Sequence, residues 1–155
     1  MVLATMIRLS VSALLIAAAV LATAGAARAV DIVDIRFGER PGGARIVIET
    51  SQPVAFDAFT LADYGDRLVV SLPQAGWSIE ALPHQAGVGH GLVGPFRFDP
   101  SAQASRMVFF LEAPAVIENS FSLPPNGGGH RLVIDLARTD RATFVAASGS
   151  PQPRP

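Results

Sequence analysis

The stretch Gly65 to Pro73 reads GDRLVVSLP, and sixty-four residues later the chain writes GHRLVIDLA, Gly129 to Ala137. A chain that repeats a strand in this way is constrained to fold as two related units. The repeat extends well beyond the opening match. Ile35-Arg36-Phe37 aligns with Phe96-Arg97-Phe98 at an offset of 61, and the same offset pairs Arg45-Ile46-Val47 with Arg106-Met107-Val108 and Pro53 with Pro114. The offset grows to 62 at Phe59-Thr60-Leu61 and Phe121-Ser122-Leu123, and to 64 at Arg67 and Arg131. The last increment falls in the turn from Pro124 to Gly129, where a duplicated β unit tolerates insertion best.

Within the repeat, apolar and polar residues alternate with the period of a strand. Leu68, Val70 and Leu72 fall on one face and Arg67, Val69 and Ser71 on the other. Leu132, Ile134 and Leu136 likewise oppose Arg131, Val133 and Asp135. Eight such runs are expected: 31–37, 45–50, 54–61, 67–72, 92–98, 106–112, 115–123 and 131–136. They are separated by Gly, Pro and Asn, and no helical period competes with them. The fold class expected is all-β: an internally duplicated β-sandwich, two sheets of about four strands, each burying one face. Half-repeats are placed at about 30–76 and 90–138, within one domain over 30–141. Residues 142–155, ending in ASGSPQPRP, read as a flexible tail or linker.

Residues 1–29 read as a secretory signal peptide. Arg8 precedes an apolar run from Val11 to Ala22, and Ala27-Arg28-Ala29 fits a small-residue cleavage site. The run is short of the roughly 20 dense apolar residues that span a bilayer, so the expectation is export to the periplasm with no membrane span after cleavage. Without Arg8 and Arg28, the remaining chain has 10 basic and 13 acidic residues, a net charge of −3. With no concentrated basic patch, nucleic acid is not an expected partner. Cys is absent, so the core alone must hold the fold.

No catalytic residues are expected in this chain. The chain has three histidines; His84 and His90 lie in the Gly-rich link between the halves with no metal-ligand spacing. There is no nucleophile elbow and no phosphate loop. Gly127-Gly128-Gly129 reads as a hairpin turn, and Asp63 and Asp66 as turn residues.

The pieces ARIVIETSQPVAFDAFTLADYGDRLVVSLP and SRMVFFLEAPAVIENSFSLPPNGGGHRLVIDLA resemble the AMIN domain, the amino-terminal module of periplasmic N-acetylmuramoyl-L-alanine amidases that also occurs in some secretin and other envelope proteins. The similarity runs from about Val30 to Arg138 and rests on the R-x-V-x-x-x-x-x-P runs at Arg45 to Pro53 and Arg106 to Pro114, and on the two R-L-V strands. The resemblance implies a non-catalytic module that binds peptidoglycan and localises a cell-wall amidase during cell division. It implies zinc only in a downstream catalytic domain, and no cofactor in these residues. The alternative it leaves open is a protein–protein interaction module of an envelope or secretin-type assembly, with division or envelope proteins as partners.

Outward arginines at repeat-equivalent places are the candidate binding residues: Arg45 with Arg106, and Arg67 with Arg131, with Arg36 and Arg97 beside them. Bidentate hydrogen bonds to stem-peptide carboxylates would use them, with exposed aromatic rings stacking on sugars. The same arginines have a purely structural reading, neutralising Glu49, Glu112 and Asp135 on the sheet surface. Trp77, alone after Gly76, is expected to be a core or corner residue.

Overall fold

The alternating runs become ten strands in a computed structural model that describes residues 29–149. All but Ala29 of the expected leader, and the Pro-rich end of the tail, lie outside the described residues. The strands are β1 (Val30–Arg40), β2 (Gly43–Thr50), β3 (Asp57–Leu61), β4 (Arg67–Leu72), β5 (Ala75–Trp77), β6 (Ala86–Val88), β7 (Val93–Asp99), β8 (Ser105–Leu111), β9 (Ala115–Leu123) and β10 (His130–Arg138). One sheet has the order β5-β1-β2-β10-β9 and the other β3-β4-β8-β7-β6.

This order differs in one respect from two self-contained halves. Each sheet takes its first two long strands from one repeat and its last two from the other. Residues equivalent by the 61 to 64 offsets map β1 to β7, β2 to β8, β3 to β9 and β4 to β10, so the two sheets exchange places under an approximate two-fold relation. The seams between halves are the antiparallel pairs β2–β10, with Ile46 opposite Ile134, and β4–β8, with Val70 opposite Met107. The count of five strands per sheet, against the four expected, comes from the three-residue edge strands β5 and β6, too short to leave an alternating pattern.

The inward faces meet as expected. Ile46, Ile48, Leu132 and Ile134 of one sheet, and Leu68, Val70, Met107 and Phe109 of the other, are buried in a single core. Phe37 on β1 crosses the gap to Phe96 and Phe109, ring centroids 5.6 and 6.2 Å apart. Aromatic contacts at this range add to the burial of the rings. The seam is tight: a Cβ on Gly43 would stand 1.9 Å from the Leu136 carbonyl oxygen, so only glycine fits where β2 meets β10.

Both open sides of the sandwich are closed by residues outside the long strands. On one, Trp77 at the end of β5 and Ile79 and Leu82 of the link to β6 lie against the core; Trp77 stacks on Phe98 at 5.4 Å and its Nε1–H donates to the Leu82 carbonyl (2.9 Å). On the other, beside β3 and β9, sits a helix, α1 (Arg141–Ala147). This corrects the expectation of a flexible tail from residue 142. Asp140 caps the helix by accepting from the Thr143 amide (2.9 Å) and hydroxyl (2.6 Å), Phe144 is fully buried, and the Gly149 amide donates to the Thr60 carbonyl (2.7 Å). Arg141 pairs with Asp66 in the β3–β4 turn. A seven-residue helix with one anchoring ring carries too little periodicity to stand out in a Ser/Pro/Gly-rich context.

Candidate binding faces

The outer faces of the two sheets are built from equivalent rows of residues, and their differences identify which charges are already spent. On the first sheet, Arg36, Val47, Val133 and Phe121 form a row across β1-β2-β10-β9. The second sheet answers with Arg97, Val108, Val69 and Phe59. The middle valines point outward, as the alternation requires, yet Val69, Val108 and Val133 are only 4, 4 and 2 % exposed.

The four candidate arginines divide into two kinds. Arg45 stands opposite Asp135 and forms a two-bond clamp with it, Nε to Oδ1 at 2.7 Å and Nη2 to Oδ2 at 2.8 Å. Arg40 adds a second cation to Asp135 at 3.1 Å and also reaches Glu118 at 3.0 Å. The clamp holds the Asp135 carboxyl below the ordinary carboxylate range, through the Arg45 hydrogen bond, against the opposing effect of burial. The same bond raises the Arg45 guanidinium. Arg67 is likewise engaged: its Nη2 donates to both the carbonyl (2.7 Å) and the carboxylate (2.8 Å) of Asp63.

Arg106 and Arg131 have no carboxylate within ion-pair distance among the described residues. The duplication shows why. The position of Asp135 is held by Ser71 in the other sheet, so Arg106 faces a hydroxyl-bearing residue across the seam instead of a carboxylate. Its other neighbour, Asp99, is drawn to Arg97 at 3.0 Å. Arg131 is the counterpart of Arg67, but its turn runs Pro-Pro-Asn-Gly-Gly and offers no acid, and Glu49, opposite it on β2, is bonded to Arg36 and the Gly129 amide; Arg131 Nη2 donates to the Pro124 carbonyl at 3.1 Å. The Nε–H groups of both Arg67 and Arg131 are buried without a partner.

A second substitution between the faces is Glu49 for Phe110. Glu49, 8 % exposed, accepts from Arg36 (2.9 Å) and from the Gly129 amide (2.8 Å). At the equivalent place Phe110 lets the Arg97 guanidinium lie over its ring, 5.9 Å from the centroid. The first face is therefore cross-linked by ion pairs between strands, whereas on the second Phe59, Leu61 and Phe110 are partly exposed on the same face as Arg106 and the Arg97–Asp99 pair. Sequence reasoning nominated the arginines but could not separate them, because strand register alone decides which acid stands opposite.

His84 and His90 are exposed loop residues, and His90 Nε2 lies 3.1 Å from Glu39. Among the described residues no group of three or more His, Cys, Asp or Glu side chains converges as a metal site. No helix among the described residues is long and apolar enough to cross a membrane.

Fold and faces together define a class: a duplicated all-β sandwich whose two outer faces share a plan and differ in charge. No protein-family model matches the chain, and no curated protein matches it.

Proposed function

We propose that this domain is a non-catalytic peptidoglycan-binding module of the periplasm that localises a cell-wall N-acetylmuramoyl-L-alanine amidase. The observation that carries the reading is Arg106: an exposed guanidinium without an ion pair among the described residues, on the same sheet face as the partly exposed rings of Phe59 and Phe110. A wall polymer presents sugar rings and stem-peptide carboxylates, which such a surface meets by stacking and bidentate hydrogen bonding. The internal duplication supports the reading further, because two related faces on one domain give avidity for a repeating ligand. The resemblance of the repeat to the AMIN domain points the same way.

Co-sedimentation with purified sacculi tests this. The wild-type protein is expected in the pellet, and Arg106→Ala is expected to shift a measurable fraction to the supernatant while its unfolding midpoint stays unchanged. Retention of the protein by an envelope protein and not by sacculi would replace this reading with the interaction-module alternative. That alternative has its own structural support in β9, a nine-residue strand at a sheet edge, suited to pairing with a partner strand.

A further inference from the structure

On the first sheet a cleft of about 420 Å³ is lined by Arg36, Val47, Glu49 and Arg131, and closed on one side by the Asn126-Gly127-Gly128 loop. The loop belongs to a turn that is two residues longer in the second repeat than in the first. It is seated on Glu49: the Gly129 amide donates to Oε1, and a Cβ on Gly128 would stand 2.2 Å from the same oxygen. Glycine at these places lets backbone approach the carboxylate, and Gly127, at φ +76°, turns the chain at the rim.

We propose that this cleft is a receptor for a single carboxylate of a peptide, with Arg131 as the residue that takes it. The source, a wall stem peptide, rests on the function proposed above, but the chemistry is that of the cleft itself. Among its lining residues are two guanidinium groups and one carboxylate. Glu49 is committed to Arg36 and to the loop, so Arg131 is the cation left over, and its terminal nitrogens have no acid to engage. The lining residues alone carry a single net positive charge, which matches a monoanion, and Asp34, 3.5 Å from Arg36 and outside the lining, faces that cation and not Arg131. A phosphate dianion would bring its second charge against Glu49. Val47 on the floor gives the carbon skeleton beside the carboxylate an apolar contact. The counterpart region of the other sheet lacks the site, because Asp63 neutralises Arg67 and Phe110 replaces Glu49.

The test is an amide-resolved NMR titration of the isotopically labelled protein with three probes: the synthetic tripeptide L-Ala-γ-D-Glu-meso-diaminopimelate, its fully amidated form, and inorganic phosphate. The free tripeptide is expected to shift the amides of residues 126–129 and the Arg131 Nε–H, with the amidated form and phosphate each binding at least about tenfold more weakly. Arg131→Gln should weaken tripeptide binding by a similar factor, and Arg138→Gln, at an exposed position outside the cleft lining, should not. If Arg131→Gln misfolds, Arg131→Lys supplies the comparison, keeping the charge and losing the fork geometry. Equal shifts with the amidated peptide, tighter binding of phosphate, or a silent cleft would overturn the proposal. A silent cleft in a protein that still pellets with sacculi overturns this site alone, whereas loss of both overturns the wall-binding reading as well.

Discussion

Arg45 and Asp135 lie 90 residues apart in the chain and directly opposite one another in the sheet, joined by two near-parallel hydrogen bonds across the β2–β10 seam. The pair links the two repeats at their junction, and the Asp135 side chain is only 2 % exposed. Removing Asp135 strands the Arg45 guanidinium, while Arg40 keeps its pair with Glu118. Full burial of a broken pair costs more, but Arg45 is 43 % exposed and rehydrates in part. Asp135→Ala is therefore expected to cost about 2 kcal/mol, read as a lower urea midpoint with unchanged slope. Arg45→Ala should act on stability before it acts on binding.

The same pair sets an acid dependence. The folded-state carboxyl of Asp135 is lowered, chiefly by the Arg45 hydrogen bond, so the unfolded chain takes up its proton first as pH falls. Its stabilisation is complete above the ordinary carboxylate range and disappears as pH drops through the lowered folded value. Asp140, lowered mainly by the Thr143 hydroxyl, has the same sign at the exposed helix cap. Urea midpoints measured between about pH 6 and pH 2 should fall on the acid side in the wild type, and less steeply in Asp135→Asn.

Phe144 is a small feature of the sequence and a fully buried one in the fold. It plugs the side of the sandwich beside β3 and β9, and its loss leaves a cavity that a short helix can only partly close. Phe144→Ala is expected to cost about 3 kcal/mol. Thermal unfolding checks it, and truncation after residue 140 should give a similar loss.

Because each sheet takes strands from both repeats, neither repeat owns a complete sheet. Residues 30–85 expressed alone should form no stable monomer, since each sheet is left with two long strands, β5 adding only three residues, and such fragments are marginal in water. Mixing them with residues 86–149 should restore the strand signal in circular dichroism at a one-to-one mass by size-exclusion chromatography with light scattering. A folded monomeric half would contradict the exchanged topology.

Strand runs, inward faces and repeat were legible in the sequence because alternation of Leu, Ile and Val with polar residues follows directly from the two-residue period of a strand. The runs at Arg67 and Arg131 place Leu68, Val70, Leu132 and Ile134 inward, and all four are buried. The helix at Arg141 was not legible, because one ring in seven residues makes no pattern until β3 and β9 provide the place it fills.

The candidate site divides in the same way. Composition and repeat by themselves nominated Arg45, Arg67, Arg106 and Arg131, because a duplicated unit keeps equivalent charges at equivalent positions. Only the tertiary structure decided which of them remain available. Exchange of strands between the repeats set Asp135 against Arg45 and Ser71 against Arg106, and the folded β3–β4 turn brought Asp63 onto Arg67, whereas Glu49 opposite Arg131 was drawn to Arg36 and the Gly129 amide. Charge pairing is a matter of a few ångströms between residues tens of positions apart, a distance that local periodicity does not encode and sheet register does.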